Sequence, residues 1–511
     1  WLEWAPDVTV PAYALSLVLT GKYEELIKLD KKVLTDPAME SLYTSQGIAY
    51  TDLGRKSDAR IRLAQALALD PEFTLAQVAL AQLNLNMGDT KAAAKTLESI
   101  VEANPQNVSA WLAKGDTHAA NGQIPRALHA YGQALKIDPN NIHALEQRTR
   151  LALQSGELKI AEQGARKLLR SAPKNPGANF LQGILDIQAE RYEQAEKRLA
   201  MAEPVREQYP MQGFYYAMAL LANGKLEMAA AQASRYHALV PESVNGRKLL
   251  ATIRLQEQDF QQVEELLLPV VREFPNDVGA MRLLANALLR QGRSEEGIAL
   301  LARVTQLEPE SARAQIGLGA GLLLQGEADS AQAHIETALE LDPQYQQGEL
   351  LLVLALLEQQ DYEGALASAR ELVAKTPDDV TAHNLVAWVQ GRSGDKDAAK
   401  ATYEATLQRF PGDPGASHSL ARMAVEAGDD ESARKYYQGV LQHNPGHLAA
   451  SLQLALLEAQ GGDGPAAQQR LEATIEAHPE ALQPRLLLAR YHLSQGEPEK
   501  VDTVLTGLSD S

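Results

Sequence analysis

Cysteine is absent from the 511 residues, which excludes disulfides, thiolate metal sites and a cysteine nucleophile while fitting any redox compartment. Aromatic side chains make up only 5 %, with 6 Phe, 4 Trp and 16 Tyr, so few stacking platforms exist for a sugar strand. No stretch approaches the roughly 18 consecutive apolar residues of a membrane-spanning helix. Positive charge is in deficit: 48 lysines and arginines face 66 carboxylates, a formal net charge of -18. Such a surface repels nucleic acid and anionic lipid unless cations are gathered locally. Missing too are an H-E-x-x-H pair, a glycine-rich phosphate loop and a G-x-S-x-G elbow. No catalytic, metal-binding or cofactor-binding residue is therefore nominated, and neither an enzyme nor a cofactor is expected.

What the chain does have is a proline with a period. Pro37, Pro71, Pro105, Pro139 and Pro173 fall 34 residues apart, and the same phase resumes from Pro241 through Pro275, Pro309, Pro343, Pro377, Pro411 and Pro445 to Pro479. Thirteen of the fourteen lattice positions are proline; the exception is Glu207, with Pro210 three residues beyond it. A period of 34 residues is that of the tetratricopeptide repeat, a helix-turn-helix unit. The expected fold is all-α, a right-handed superhelical solenoid of antiparallel helix pairs.

The units organise the whole chain. Residues 1–39 read as an atypical first unit, with helices over Val10–Leu19 and Tyr23–Leu34 around Gly21. Residues 40–481 hold thirteen repeats, and 482–511 a last pair, Leu482–Leu493 and Glu497–Leu508. A typical unit places helix A over Val108–Asn121, a turn at Gly122 and helix B over Ile124–Ile137. The turn residue is glycine in eleven of fourteen units, and Glu190 and Gln258 mark weak ones. Position eight is Gly or Ala in twelve of fourteen, and position twenty is Ala in eleven. Small residues there let the two helices cross closely, and the proline stops helix B because it lacks an N–H. No Ser/Gly/Pro-rich linker separates the units, so one continuous array over 1–511 is expected, with a local irregularity at Glu207–Pro210 and no domain break there.

Catalysis needs opposed groups converging in a pocket, whereas a stacked array offers a long open groove. In tetratricopeptide proteins, helix A positions two, five, nine, twelve and thirteen line the concave surface. Carried onto this chain, they give a mixed zone (Val78, Gln82, Leu85, Leu112, Asp116) and an apolar and aromatic zone (Phe180, Ile184 and Ile187, then Phe214 and Tyr215). A basic step follows: Lys248, then Arg282 with Asn286 one turn on along the same helix, then Arg313. Beyond it lie Ile316, Leu350, Leu354, Leu357 and Trp388, with Asn384, His418 and Arg422 for polar contacts. The Lys248–Arg282–Arg313 row suits a carboxylate or acidic segment of a partner; solvated scatter or interhelical ion pairs would place the same residues there. It resembles in part the Lys/Asn/Arg clamp by which some tetratricopeptide proteins grip a chaperone's C-terminal carboxylate, although Gly317 stands where that clamp has a polar side chain. Asp429–Glu431 read as favourable charge at a helix start, and Arg490 and His492 as surface or groove polarity.

The run GELLLVLALLEQQDYEGALASARELVAKTPDDVTAHNLVAWVQGRSGDKDAAKATYEATLQRFPGDPGASHSLARMAVEAGDDESARKYYQGVL at 348–441, with EALQPRLLLARYHLSQGEPEKV at 480–501, resembles the large PrsT tetratricopeptide lipoproteins of Gram-negative bacteria, associated with exosortase/PEP-CTERM sorting and exopolysaccharide production. The resemblance implies a periplasmic location, membrane association through an N-terminal lipid anchor upstream of Trp1, and a longer native array. It also implies a scaffold role, binding protein or peptide partners in an export or sorting assembly. Two other readings remain: a co-chaperone or adaptor gripping peptide tails, and direct binding of a polysaccharide strand, which the aromatic scarcity disfavours. Nucleic acid is not an expected partner.

Overall fold

The computed structural model describes residues 5–29 and 34–505. Its elements are all helical: α-helices in antiparallel pairs, with one short 3-10 turn. The typical unit has helix A at Val108–Ala120 and helix B at Ile124–Ile137. Side-chain caps explain why helix A starts where it does. Asn107 accepts a hydrogen bond from the Ala110 N–H at 2.9 Å, and Asn141, Asn175, Ser243, Asp277, Ser311, Asp379 and Asp413 cap later A helices in the same way. Each cap satisfies a donor that the first helical turn leaves without an intrahelical acceptor. Asp89, Asp259, Asp361, Asp395, Asp429 and Asp463 do this for B helices. Asp429 thus belongs to a helix cap, and its hydrogen bonds from Ser432 hold its carboxyl below the usual range.

The A–B turn has one conformation throughout. Every turn glycine from Gly54 to Gly496 has a positive φ, and the three turn positions without glycine take it as well, Glu190 at 56° and Gln258 and Gln360 at 62° each. The period therefore outweighs the local cost of a left-handed L-residue, about 1–2 kcal/mol. Position eight is small because helix B presses on it. A Cβ on Gly183 would stand 2.6 Å from Leu199 Cγ, and one on Gly115 would stand 2.5 Å from the Tyr131 ring. The alanines at position twenty, such as Ala59, Ala127, Ala365 and Ala433, are fully buried.

The chain forms two compact units, 1–257 and 258–511. Within the first, successive A helices touch: Asp36–Asp52 meets Thr74–Asn86, which meets Val108–Ala120. Within the second, Ala312–Gln325 meets Gln346–Glu358, and Val380–Arg392 meets Pro414–Glu426. Successive B helices make no comparable contact among the described residues. A helices that converge while B helices diverge must lie on the inner side of a curved stack, so each unit presents its A helices on the concave face.

The irregularity at Glu207–Pro210 has a definite shape. Helix B of that repeat stops at Tyr192–Met201, 10 residues where its neighbours have 14, and a 3-10 turn at Glu203–Val205 follows. Gln212, buried, donates to the Leu199 carbonyl at 2.7 Å and ties the next helix to this shortened end. In the first unit of the chain the second helix is shorter than expected, Tyr23–Leu26; positions 30–33 of the expected span lie outside the described residues, as does Leu508 of the expected last helix. Val504 of that last helix packs on the cluster around Leu471 and Leu488.

Candidate partner-binding surface

In unit 1–257 the apolar and aromatic zone of the inner face is filled by its own side chains. Phe180 is buried, and its ring stacks on Tyr209 with centroids 5.5 Å apart. Tyr215 meets Phe180 at 6.2 Å and Phe214 at 5.5 Å, and Phe214 meets Tyr236 at 5.5 Å. Ile184 packs, half-buried, against the same cluster, and Ile187 is buried in it. Five rings thus form one connected series, each pair adding a modest edge or offset attraction to the burial of its apolar area. Tyr209 and Tyr236 were not expected in it. Tyr209 is brought there by the shortened helix B, and its hydroxyl donates to Glu146 at 3.3 Å. The available signal was its place beside the one lapse in the proline lattice.

The mixed zone before it is also internally satisfied. Asp116 accepts from the Tyr131 hydroxyl at 2.5 Å and from His143 Nε2 at 3.1 Å. Burial, and the negative charge of Asp116, push the Tyr131 phenol far up. The hydrogen bond to Asp116 raises His143 above the usual imidazole value, against the effects of burial and of Arg150. Val78, expected in the groove, is instead core.

Unit 258–511 leaves more of its inner face open. Leu350 and Trp388, at position five of one A helix and nine of the next, are each 38 % exposed, and Leu354, one turn on from Leu350, is half-buried. Leu324, at position thirteen of its unit, was not among the expected groove residues and is 71 % exposed. Asn384 donates to Asp413 at 2.9 Å. His418 is exposed, with Nδ1 2.9 Å from the Tyr437 hydroxyl, and Arg422 is exposed one turn on. Arg282 is half-buried, Asn286 exposed and Arg313 exposed. Ile316 and Leu357, expected beside them, are buried between helices. Lys248, the other member of the basic row, belongs to the first unit and is half-buried. His492, expected as surface or groove polarity, is 3 % exposed and pairs with Glu497 at 2.9 Å.

Among the described residues no group of three or more His, Cys, Asp or Glu could hold a metal ion, and no helix is long and apolar enough to cross a membrane. Two tetratricopeptide-repeat family models match the chain, one at 78–142 and 387–447, the other at 254–320, 322–389 and 424–491. Together they span more than half of it, and the chain belongs to the tetratricopeptide-repeat proteins. It is 28 % identical over 182 residues to human General transcription factor 3C polypeptide 3, covering 35 % of this chain and 20 % of that protein. It is 21 % identical over 274 residues to human Protein O-mannosyl-transferase TMTC3, covering 45 % of this chain and 30 % of that protein. The chain thus spans less than a third of either curated relative. Among solved structures, Pseudomonas aeruginosa pilF aligns with a TM-score of 0.40 and 18 % identity, over 42 % of this chain and 99 % of that one.

Proposed function

We propose that this chain is a non-enzymatic scaffold that holds a protein partner on the A-helix face of residues 258–511. The observation that supports this reading is the pair Leu350 and Trp388, apolar side chains left 38 % exposed on neighbouring inner helices and followed by exposed His418 and Arg422. Exposed aromatic and aliphatic anchors beside polar groups are the usual composition of an interface centre and rim. The partner segment suited to this face is amphipathic, with apolar anchors for Leu350 and Trp388 and a carboxylate for Arg422. Arg282 with Asn286, and Arg313, would receive further acidic groups of the same partner; Phe180, Phe214 and Tyr215 are assigned to packing and not to the partner.

The setting proposed is a bacterial envelope assembly for sorting or exopolysaccharide export, with the native chain lipid-anchored and facing the periplasm. Its support is the resemblance of 348–441 and 480–501 to the PrsT lipoproteins. The test is capture of partners from envelope extract by wild type and by the double variant Leu350→Ala/Trp388→Ala, with circular dichroism as the check on folding. Loss of a specific partner by the folded variant is expected. The same partners at the same yield would overturn the assignment to this face, and fractionation of the native protein with the cytoplasm would overturn the setting.

A further inference from the structure

A chain with a formal charge of -18 nevertheless gathers positive charge in one place. From Arg148 to Arg198 there are ten lysines and arginines against six carboxylates. The structure collects five of these cations, Arg166, Arg170, Arg191, Lys197 and Arg198, around one open cavity of about 620 Å³ between the B helices Leu158–Ser171 and Tyr192–Met201, floored by Gln182 and Asp186 of the A helix between them. None of the lining residues occupies a concave-face position, so this cavity lies off the inner face of its own unit.

Two carboxylates line it, and both are already engaged. Asp186 is buried and accepts from Arg191 at 2.6 Å and from Gln182 at 3.0 Å. Glu162 pairs with Arg166 at 3.3 Å on the exposed rim. Arg198 is held by the buried Asn179, whose Oδ1 accepts from it at 3.0 Å. Arg170 and Lys197 form no ion pair among the described residues. The carboxylate whose field reaches Lys197, Glu196, is itself bonded by Lys225 at 2.6 Å. Two guanidinium groups are thus fixed by buried partners and two further cations converge beside them, which leaves like charges facing one another across a cavity within the size range of small-ligand sites. Fixed guanidinium forks recognise planar or tetrahedral oxyanions through paired charge-assisted hydrogen bonds.

We propose that this cavity binds a small multivalent oxyanion, a phosphate ester or a polycarboxylate, through Arg170, Lys197, Arg191 and Arg198. The experiment is titration of the full chain with inorganic pyrophosphate and, separately, with citrate, read by calorimetry and by the rise in Tm that binding to the native state produces. The comparison is Arg170→Gln/Lys197→Gln, whose side chains are exposed and whose loss leaves the Asp186–Arg191 bond in place. Wild type is expected to bind at least one probe, at least tenfold more tightly than the double variant, with affinity falling as salt rises. Preference for pyrophosphate would make phosphate the recognised group, and equal affinity for citrate would make it oxyanion charge alone. Failure of both probes to bind wild type, or equal affinity in the variant, would overturn the proposal, and neither outcome bears on the Leu350–Trp388 face.

Discussion

The inner faces of residues 1–257 and 258–511 are built from the same helix positions, yet Phe180 on the first is covered and Leu350 on the second is not. In the first, position five of one A helix carries Phe180, and the rings of Tyr209, Tyr215, Phe214 and Tyr236 close over it in a connected series. In the second, the same kind of position carries Leu350, and nothing comparable covers it: it stays 38 % exposed, as does Trp388. The difference lies in the backbone between repeats. A helix B cut to 10 residues supplies Tyr209 to the first face, whereas the B helices that flank Leu350 and Trp388 (Ala328–Leu341, Tyr362–Lys375 and Lys396–Arg409) run 14 residues each. A groove position is therefore a place where a side chain points, and whether it meets a partner or its own chain depends on the neighbouring loop.

The comparison can be broken most forcefully at Phe180. Replacing it with Ala should cost about 3–5 kcal/mol, the usual range for a buried phenylalanine, visible as a lowered Tm, with partner capture by residues 258–511 retained once the protein is folded. Gly183→Val would push a branched side chain into Leu199, which already lies 2.6 Å from the position of a Cβ, and should cost about 1–3 kcal/mol through overpacking. In the second unit, Trp388→Ala should leave Tm nearly unchanged and weaken the partner by at least about tenfold, as truncation of an interface anchor does. A gain is expected from Gln360→Gly, because glycine takes the left-handed turn without strain; about 1 kcal/mol of added stability should appear in urea unfolding.

The smallest effect sharpens the contrast from the first unit's side. His143 is raised by its bond to Asp116, with Glu146 adding to this and Arg150 opposing it. A folded-state value above the unfolded one means that this bond's stabilisation is fully present below the unfolded pKa, about 6.5, and is lost as pH rises through the folded value. His143→Gln should flatten that part of the stability profile in urea titrations at successive pH values. An unchanged profile would remove His143 from the account.

Much of the fold was legible because the constraint repeats. The proline lattice, the turn glycines and the small residues at positions eight and twenty each recur in most of the fourteen units, and even Glu190, Gln258 and Gln360 conform to the glycine turn. The candidate surface was less legible. Helix-A position told which way Phe180, Ile316 and Leu357 point, yet all three are buried, since burial depends on the neighbouring helix and on loops such as the one carrying Tyr209. The cationic cavity between B helices escaped notice for a related reason. Arg170 and Lys197 are 27 positions apart in sequence, and only the stacking of repeats puts them around one opening.

The central claim is that the partner sits on the open face of residues 258–511. Hydrogen–deuterium exchange of the full chain, with and without the captured partner, tests it most directly. The account predicts added protection in Gln346–Glu358, Val380–Arg392 and Pro414–Glu426, with Pro176–Gln188 and Met211–Ala222 unchanged. Protection confined to those last two helices would contradict it.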